Sequence, residues 1–200
     1  SKCYLLPPEY GTNLYLNEFS NFDAKEIVLN ALCEQRKMFQ FNVPGINTSV
    51  ISGSYKNEVR LKVYSKSDES PEFCQNTLRI ETQQKKSRDF QKNGIVKVTD
   101  LFILQNQILL FNKHIKYMQN IVIFDYTIEL PKGSKYKSDL LHFKNKNNWI
   151  KLIEGCKNNE VYNTKYNDTV DLLNFLSNKY GSSLLLKLIQ QSKKQWIKSL

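Results

Sequence analysis

The sequence predicts an α+β fold: a twisted, mostly antiparallel sheet with helices packed on one face, followed by a basic helical C-terminal region. Two segments, Glu58–Ser65 and Thr77–Gln83, alternate apolar and polar residues with the two-residue period of a half-buried strand. Residues 24–37 instead repeat apolar residues at helical spacing, and 99–117 is a capped apolar stretch read as a helix. Two further helices are expected near 169–179 and 183–199, the last with Leu184, Leu185, Leu188 and Ile189 on one side. The charge is also uneven: residues 1–130 hold 16 basic and 14 acidic groups, and residues 131–200 hold 13 and 5. This divides the chain into an α+β core, 1–130, and a basic linker with a helical tail, 131–200.

In chain order, residues 12–17 read as a strand. Asp23-Ala-Lys-Glu26 is a capping-box pattern ahead of Ile27, Val28, Ala31 and Leu32, which opens the first helix. Phe39–Val43 and Ser49–Ser52 read as short strands broken by Pro44-Gly45. The two alternating strands follow, joined by the polar loop Ser67–Gln75. They place Val59, Leu61, Val63, Leu78 and Ile80 on one face and Arg60, Lys62, Tyr64, Arg79 and Glu81 on the other. Thr99-Asp100 caps a helix running to Tyr117, and Ile121–Thr127 reads as a further strand. Pro131–Asn148, rich in Lys and Asn, reads as an exposed linker, and Gly181 splits the last two helices.

Composition excludes several classes. Forty per cent hydrophobic residues with 7 Gly and 5 Pro in 200 exclude disorder and collagen-like repeats. No run approaches the ~20 apolar residues of a spanning helix, and no signal-peptide pattern opens at Ser1. The expectation is a soluble, cytoplasmic protein without a membrane partner. Because Ser rather than Met comes first, a fragment or trimmed chain is expected as well. Cys3, Cys33, Cys74 and Cys156 form no CxxC pair, so zinc-ribbon and redox readings fail. His114 and His142 are too few for a histidine metal centre. His114 reads as a packing residue, and Trp149 and Trp196 as core or interface anchors.

A net charge of +10 suits binding to a phosphate backbone, where each neutralised phosphate releases counterions. Twenty-five of the 29 cations are Lys, which an AT-rich genome also produces. The polar sheet face, with Lys66, Asp68 and Glu69 at its end, has the parts of a phosphodiester site. Carboxylates can hold a divalent ion, a phenol can attack phosphorus, and cations offset phosphate charge. A solvated sheet face of mixed charge accounts for the same residues.

Val63-Tyr-Ser-Lys-Ser-Asp-Glu69 followed by Asn76-Thr-Leu-Arg-Ile-Glu81 resembles a motif pair of phage and plasmid rolling-circle replication initiators. The resemblance extends to Gly94-Ile95, Thr99-Asp100-Leu101 and Ile123-Phe124-Asp125. Upstream, Pro8-Glu9-Tyr10-Gly11-Thr12-Asn13 resembles that family's acidic strand, so about residues 8–127 are covered. Ser65 stands where the family usually has an acid, Pro7 where it often has Arg, and no His-hydrophobic-His triplet exists.

The resemblance implies a DNA-binding replication initiator that nicks and rejoins one strand of phage or plasmid origin DNA. It implies Glu9 and Glu81 as ligands of Mg²⁺ or Mn²⁺, with Glu69 or Asp68 in support. Tyr64 is the implied nucleophile, with Tyr55 the alternative, and Lys66 faces the phosphate. Arg60, Lys62 and Arg79 are expected to contact nucleic acid. Lys193 and Lys194 lie in the helical region expected to grip origin duplex. Single- and double-stranded DNA are the expected partners, and a homodimer is among the assemblies open to it. The alternatives are a non-catalytic nucleic-acid-binding protein on the same scaffold and a basic structural subunit of a ribonucleoprotein.

Overall fold

The computed structural model describes residues 9–18, 23–28, 39–41, 49–52, 59–72, 75–84, 88–119, 121–156 and 160–199. Strands β1 (Glu9–Tyr15), β2 (Phe39–Phe41), β3 (Ser49–Ser52), β4 (Val59–Ser65) and β5 (Thr77–Gln84) form one sheet of order β1-β5-β4-β3-β2. All four pairings are antiparallel. Helices α1 (Ala24–Glu26), α2 (Lys66–Glu69), α3 (Arg88–Lys92) and α4 (Leu104–Met118) accompany the sheet. Helices α5 (Lys137–Lys144), α6 (Lys146–Cys156), α7 (Glu160–Tyr180) and α8 (Leu184–Ser199) follow. Among the described residues, no helix is long and apolar enough to cross a membrane.

The two-residue period of β4 and β5 decides which side is core. Leu61, Val63, Leu78 and Ile80, with Leu14 of β1, are buried under Ala24, Ile27 and Val28 of the first helical turns. Ile115 and Met118 of α4 and Leu184, Leu188 and Ile189 of α8 complete this cluster. Burial of one such aliphatic side chain contributes about 1.5–3 kcal/mol, so this face accounts for the sheet's orientation. Asp23 caps α1 by accepting from the amides of Lys25 (2.8 Å) and Glu26 (3.2 Å). The expected helix over 24–37 is seen to Val28; residues 29–38 lie outside the described part.

Inside this core runs a chain of polar contacts. His114 of α4 meets Thr82 of β5 through Nδ1 (2.8 Å) and Thr12 of β1 through Nε2 (3.2 Å). Thr12 in turn meets Ser192 of α8 (3.1 Å), whose hydroxyl points at the Met118 sulfur (3.5 Å). The imidazole is therefore a satisfied packing residue joining two strands to two helices.

A second cluster joins Val122 and Phe124 to Trp149, Leu152, Tyr166 and Leu173 of the C-terminal helices. Ile121 and Ile123 point to the sheet core, while Val122 and Phe124 point to the helical one. The strand-like period of 121–127 is thus real, but no ladder forms: Ile123 makes a single bridge and the segment is sandwiched between two cores. Its end is fixed by Asp125, whose buried carboxylate collects Thr127, Ser177 and Ser182.

Other sequence expectations need correction. Pro131–Asn148 is not irregular throughout: α5 occupies eight of its eighteen residues and α6 starts within it. Leu140 and Phe143 pack on the helical cluster. Helix α7 begins at Glu160 rather than 169. Asp100 does not cap α4. Its carboxylate accepts from the amides of Val96 (2.8 Å) and Lys97 (2.7 Å) around a 3₁₀ turn, Val98–Phe102, and α4 begins at Leu104. Helix α8 returns to the sheet core through Leu184, Leu188 and Ile189.

Candidate functional site

Register, not proximity in sequence, assembles the polar face. Tyr64 lies opposite Arg79, and Lys62 opposite Glu81, across β4–β5. Glu81 lies opposite Gly11, and Arg79 opposite Asn13, across β5–β1. Directly opposed residues share a side of the sheet, so three separated segments converge on the face away from α4 and α8.

Glu81 is the hub. One oxygen, Oε1, accepts from the Tyr64 hydroxyl at 3.0 Å and from Arg79 Nε at 2.6 Å. Arg79 also donates to Asn13 Oδ1 at 3.1 Å. Lys62 Nζ sits 4.2 Å from the centroid of the Tyr64 ring, a cation–π approach. At the strand end, Lys66 of α2 pairs with Glu69 one turn later. Glu81 is 5 % exposed and Tyr64 4 %, so the centre of the face is shielded rather than openly solvated.

Electrostatics follow this geometry. Burial first, then the charge and hydrogen bond of Glu81, push the Tyr64 phenol above its ordinary range; Arg79 opposes this only partly. Burial would lower Arg79, but its hydrogen bond and charge contact with Glu81 outweigh that and hold the guanidinium charged. The hydrogen bond from Lys66 holds the Glu69 carboxyl below its ordinary range. At neutral pH the Tyr64 phenol therefore keeps its proton and donates a hydrogen bond to Glu81, with Arg79 on the same oxygen and Lys62 beside the ring.

Glycine at position 11 makes room for the hub. A Cβ there would lie 2.5 Å from the Ile80 carbonyl oxygen and 2.9 Å from Glu81 Cγ. Backbone cannot yield cheaply, so Gly11→Ala is expected to destabilise the fold by about 1–3 kcal/mol and displace Glu81. Urea melts of the variant, read beside Tyr64→Phe, check this: a midpoint equal to wild type contradicts the packing.

The expected site residues fall into separate groups. Tyr64, Arg79, Glu81 and Lys62 form one contact set, with Lys66 and Glu69 as an adjacent pair. Glu9 lies opposite Gln83, one pleat from the Gly11–Glu81 pair, so its register position is diagonal to Glu81. Arg60 is in register with Gln83 and is buried, not displayed to solvent. Asp68 sits 4.0 Å from Lys25, and Tyr55 lies outside the described residues. Lys193 and Lys194 are exposed on α8, whose Ser192 contacts the other side of the sheet. They belong to a surface separate from Tyr64. Asn13 and Gly11 are site residues to which the sequence alone assigns no role, although both fall within the Glu9–Asn13 motif.

The carboxylates of Glu81 and Glu69 are already engaged. Glu81 carries Arg79 and Tyr64 on the same oxygen, and Glu69 is matched to Lys66. Among the described residues no group of three or more His, Cys, Asp or Glu side chains is placed to hold a metal.

No protein-family model, curated protein or solved structure matches the chain.

Proposed function

We propose that this protein is a DNA-binding replication initiator of the rolling-circle kind, with strand nicking and joining at Tyr64. The observation that carries the reading is the hydrogen-bonded set of Asn13, Tyr64, Arg79 and Glu81, drawn from three separated segments that resemble initiator motifs. The excess of lysine supports a polyanionic partner.

In this reading the Tyr64 oxygen attacks phosphorus and its proton passes to Glu81, the acceptor already in place. The bond from phosphorus to the 3′ oxygen breaks. That oxygen takes up a proton, leaving a free 3′-hydroxyl and a 5′-phosphotyrosyl link. Lys62, Lys66 and Arg79 offset the phosphate charge. The resemblance adds Mg²⁺ or Mn²⁺ to the reaction. With Glu81 and Glu69 each matched to a cation, no step is assigned to the ion.

One observation favours a second reading, DNA binding without chemistry. The phenol is buried and its pKa is pushed up, which keeps it protonated as a hydrogen-bond donor to Glu81 rather than ready to attack as a phenolate. Incubation with supercoiled and single-stranded DNA, with Mn²⁺ and with chelator, separates the two. The first reading expects nicked circles and a covalent adduct that Tyr64→Phe abolishes while binding persists. Binding without an adduct leaves the second, and a preference for structured RNA over DNA removes both.

A further inference from the structure

The C-terminal helices carry a cluster of aromatic rings and lysines that the sheet face does not use. Pro131-Lys-Gly-Ser134 forms a tight turn, with the Ser134 amide donating to the Pro131 carbonyl (3.0 Å) and Gly133 at φ +79°. The positive φ is what glycine supplies at the third position of such a turn. The Glu129 amide donates to the Tyr180 carbonyl (3.0 Å), which holds the start of this segment to the end of α7.

The turn thereby delivers Tyr136 onto α7. Its ring meets Phe175 edge-on, with centroids 5.9 Å apart and planes at 63°. Phe175 is 43 % exposed, unlike Leu173 and Leu176 beside it, which are buried. Lys179, one helical turn on, holds its ammonium 5.4 Å from the Phe175 centroid and 5.2 Å from that of Tyr180. Lys135 holds its own 5.1 Å from the Tyr136 ring. Lys132, Lys135 and Lys137 are exposed around Tyr136, with no acid between residues 130 and 138. In sequence, the acids nearest these rings are the exposed Glu129, Asp139 and Asp171.

We propose that Tyr136, Phe175 and Tyr180, with Lys135 and Lys179, form a stacking site for unpaired bases of a single-stranded nucleic acid. Aromatic rings offer a face to any base, and ammonium groups beside them meet the phosphates that connect successive bases. A duplex hides its base faces and gains only the charge contacts. The site is distinct from the Tyr64 face, and it rests on the nucleic-acid-binding part of the proposed function.

The test is anisotropy binding of a labelled oligo-dT and of a duplex of equal length, over a range of salt. Wild type is compared with Phe175→Ala and with Lys135→Ala/Lys179→Ala, each checked for fold by circular dichroism. Nicking is measured in parallel. Phe175→Ala is expected to weaken oligo-dT binding about 5- to 100-fold, leaving the salt slope and duplex affinity unchanged. The lysine pair should lower the slope for the single strand by about 1.4. Unchanged oligo-dT affinity in Phe175→Ala overturns the site while leaving the proposed function standing, as does an equal loss on both DNAs. Failure of wild type to bind either DNA overturns both. Displacement of oligo-dT by polyglutamate but not by oligo-dA overturns the nucleic-acid assignment in favour of an acidic peptide.

Discussion

Asp125→Asn is expected to unfold at markedly lower urea, with a loss of about 3–5 kcal/mol, close to that of Asp125→Ala. The carboxylate is buried. Oδ1 accepts from the Thr127 amide (2.9 Å), and Oδ2 accepts from the Ser182 amide (2.8 Å) and the hydroxyls of Ser177 (2.7 Å) and Ser182 (2.8 Å). The hydroxyls can turn and present a lone pair to a new donor, but backbone amides cannot. Because each oxygen faces one backbone N–H, whichever end of an asparagine becomes NH₂ meets a fixed donor. Gly181 also packs against Oδ2, where a Cβ would sit at 2.7 Å, so the pocket has little room to adjust. Burial would raise this carboxyl, but the hydrogen bonds of Thr127, Ser177 and Ser182 outweigh it and hold it below the ordinary aspartate range. Its contribution is therefore present above the unfolded value, about 3.8, and is lost as pH falls through the folded one. A variant that matches wild type in equilibrium urea unfolding at pH 7 would show that the carboxylate is not the tie between 125 and 182.

His114 produces the second large effect, at higher pH. Burial lowers its pKa from 6.5 to about 4. Between those values the unfolded chain binds a proton that the folded chain refuses, so stability rises with pH across the window. It is complete above 6.5 and is lost as pH falls towards 4. A shift of this size corresponds to about 3 kcal/mol. The losses from Asp125, Glu69 and Asp100, all held low, come below about 4.5 and so mainly under this window. His114→Gln should flatten the slope between pH 6.5 and 4.5. It should also start from a lower plateau, because Thr12 and Thr82 lose a partner matched to both. Urea midpoints measured every half pH unit test this; a wild-type curve flat from 7 to 4.5 contradicts a neutral, buried imidazole.

The sheet is readable in the sequence because its signal is local. Val59–Ser65 and Thr77–Gln84 announce their two faces through alternation alone, and Ser49–Ser52 stands where the turn residues predict it. Once the two strands pair, the same alternation gathers Lys62, Tyr64, Arg79 and Glu81 on one side. It cannot say that Glu81 is tied to Tyr64 and Arg79 at once, since that depends on rotamers and on the empty space at Gly11. Asp125 is opaque for another reason. Its partners stand 52 and 57 positions away, and serines in a helical C-terminus carry no signature of a distant carboxylate. Helix α5 is hidden by the Lys- and Asn-rich stretch it stands in, although Leu140 and Phe143 within it, and Trp149 and Leu152 in α6, are each spaced three apart and mark the side packed on the helical cluster.

Strand β5 serves two masters in turn, with Arg79 and Glu81 on the ionic surface and Ile80 and Thr82 in the interior. Removing a single residue from its middle would exchange those roles downstream of the cut, sending a carboxylate beneath α4 and stranding the imidazole's partner in water. Substitution scans of this strand should therefore give graded results, whereas a deletion scan should find a sharp intolerance that ends where the ladder ends.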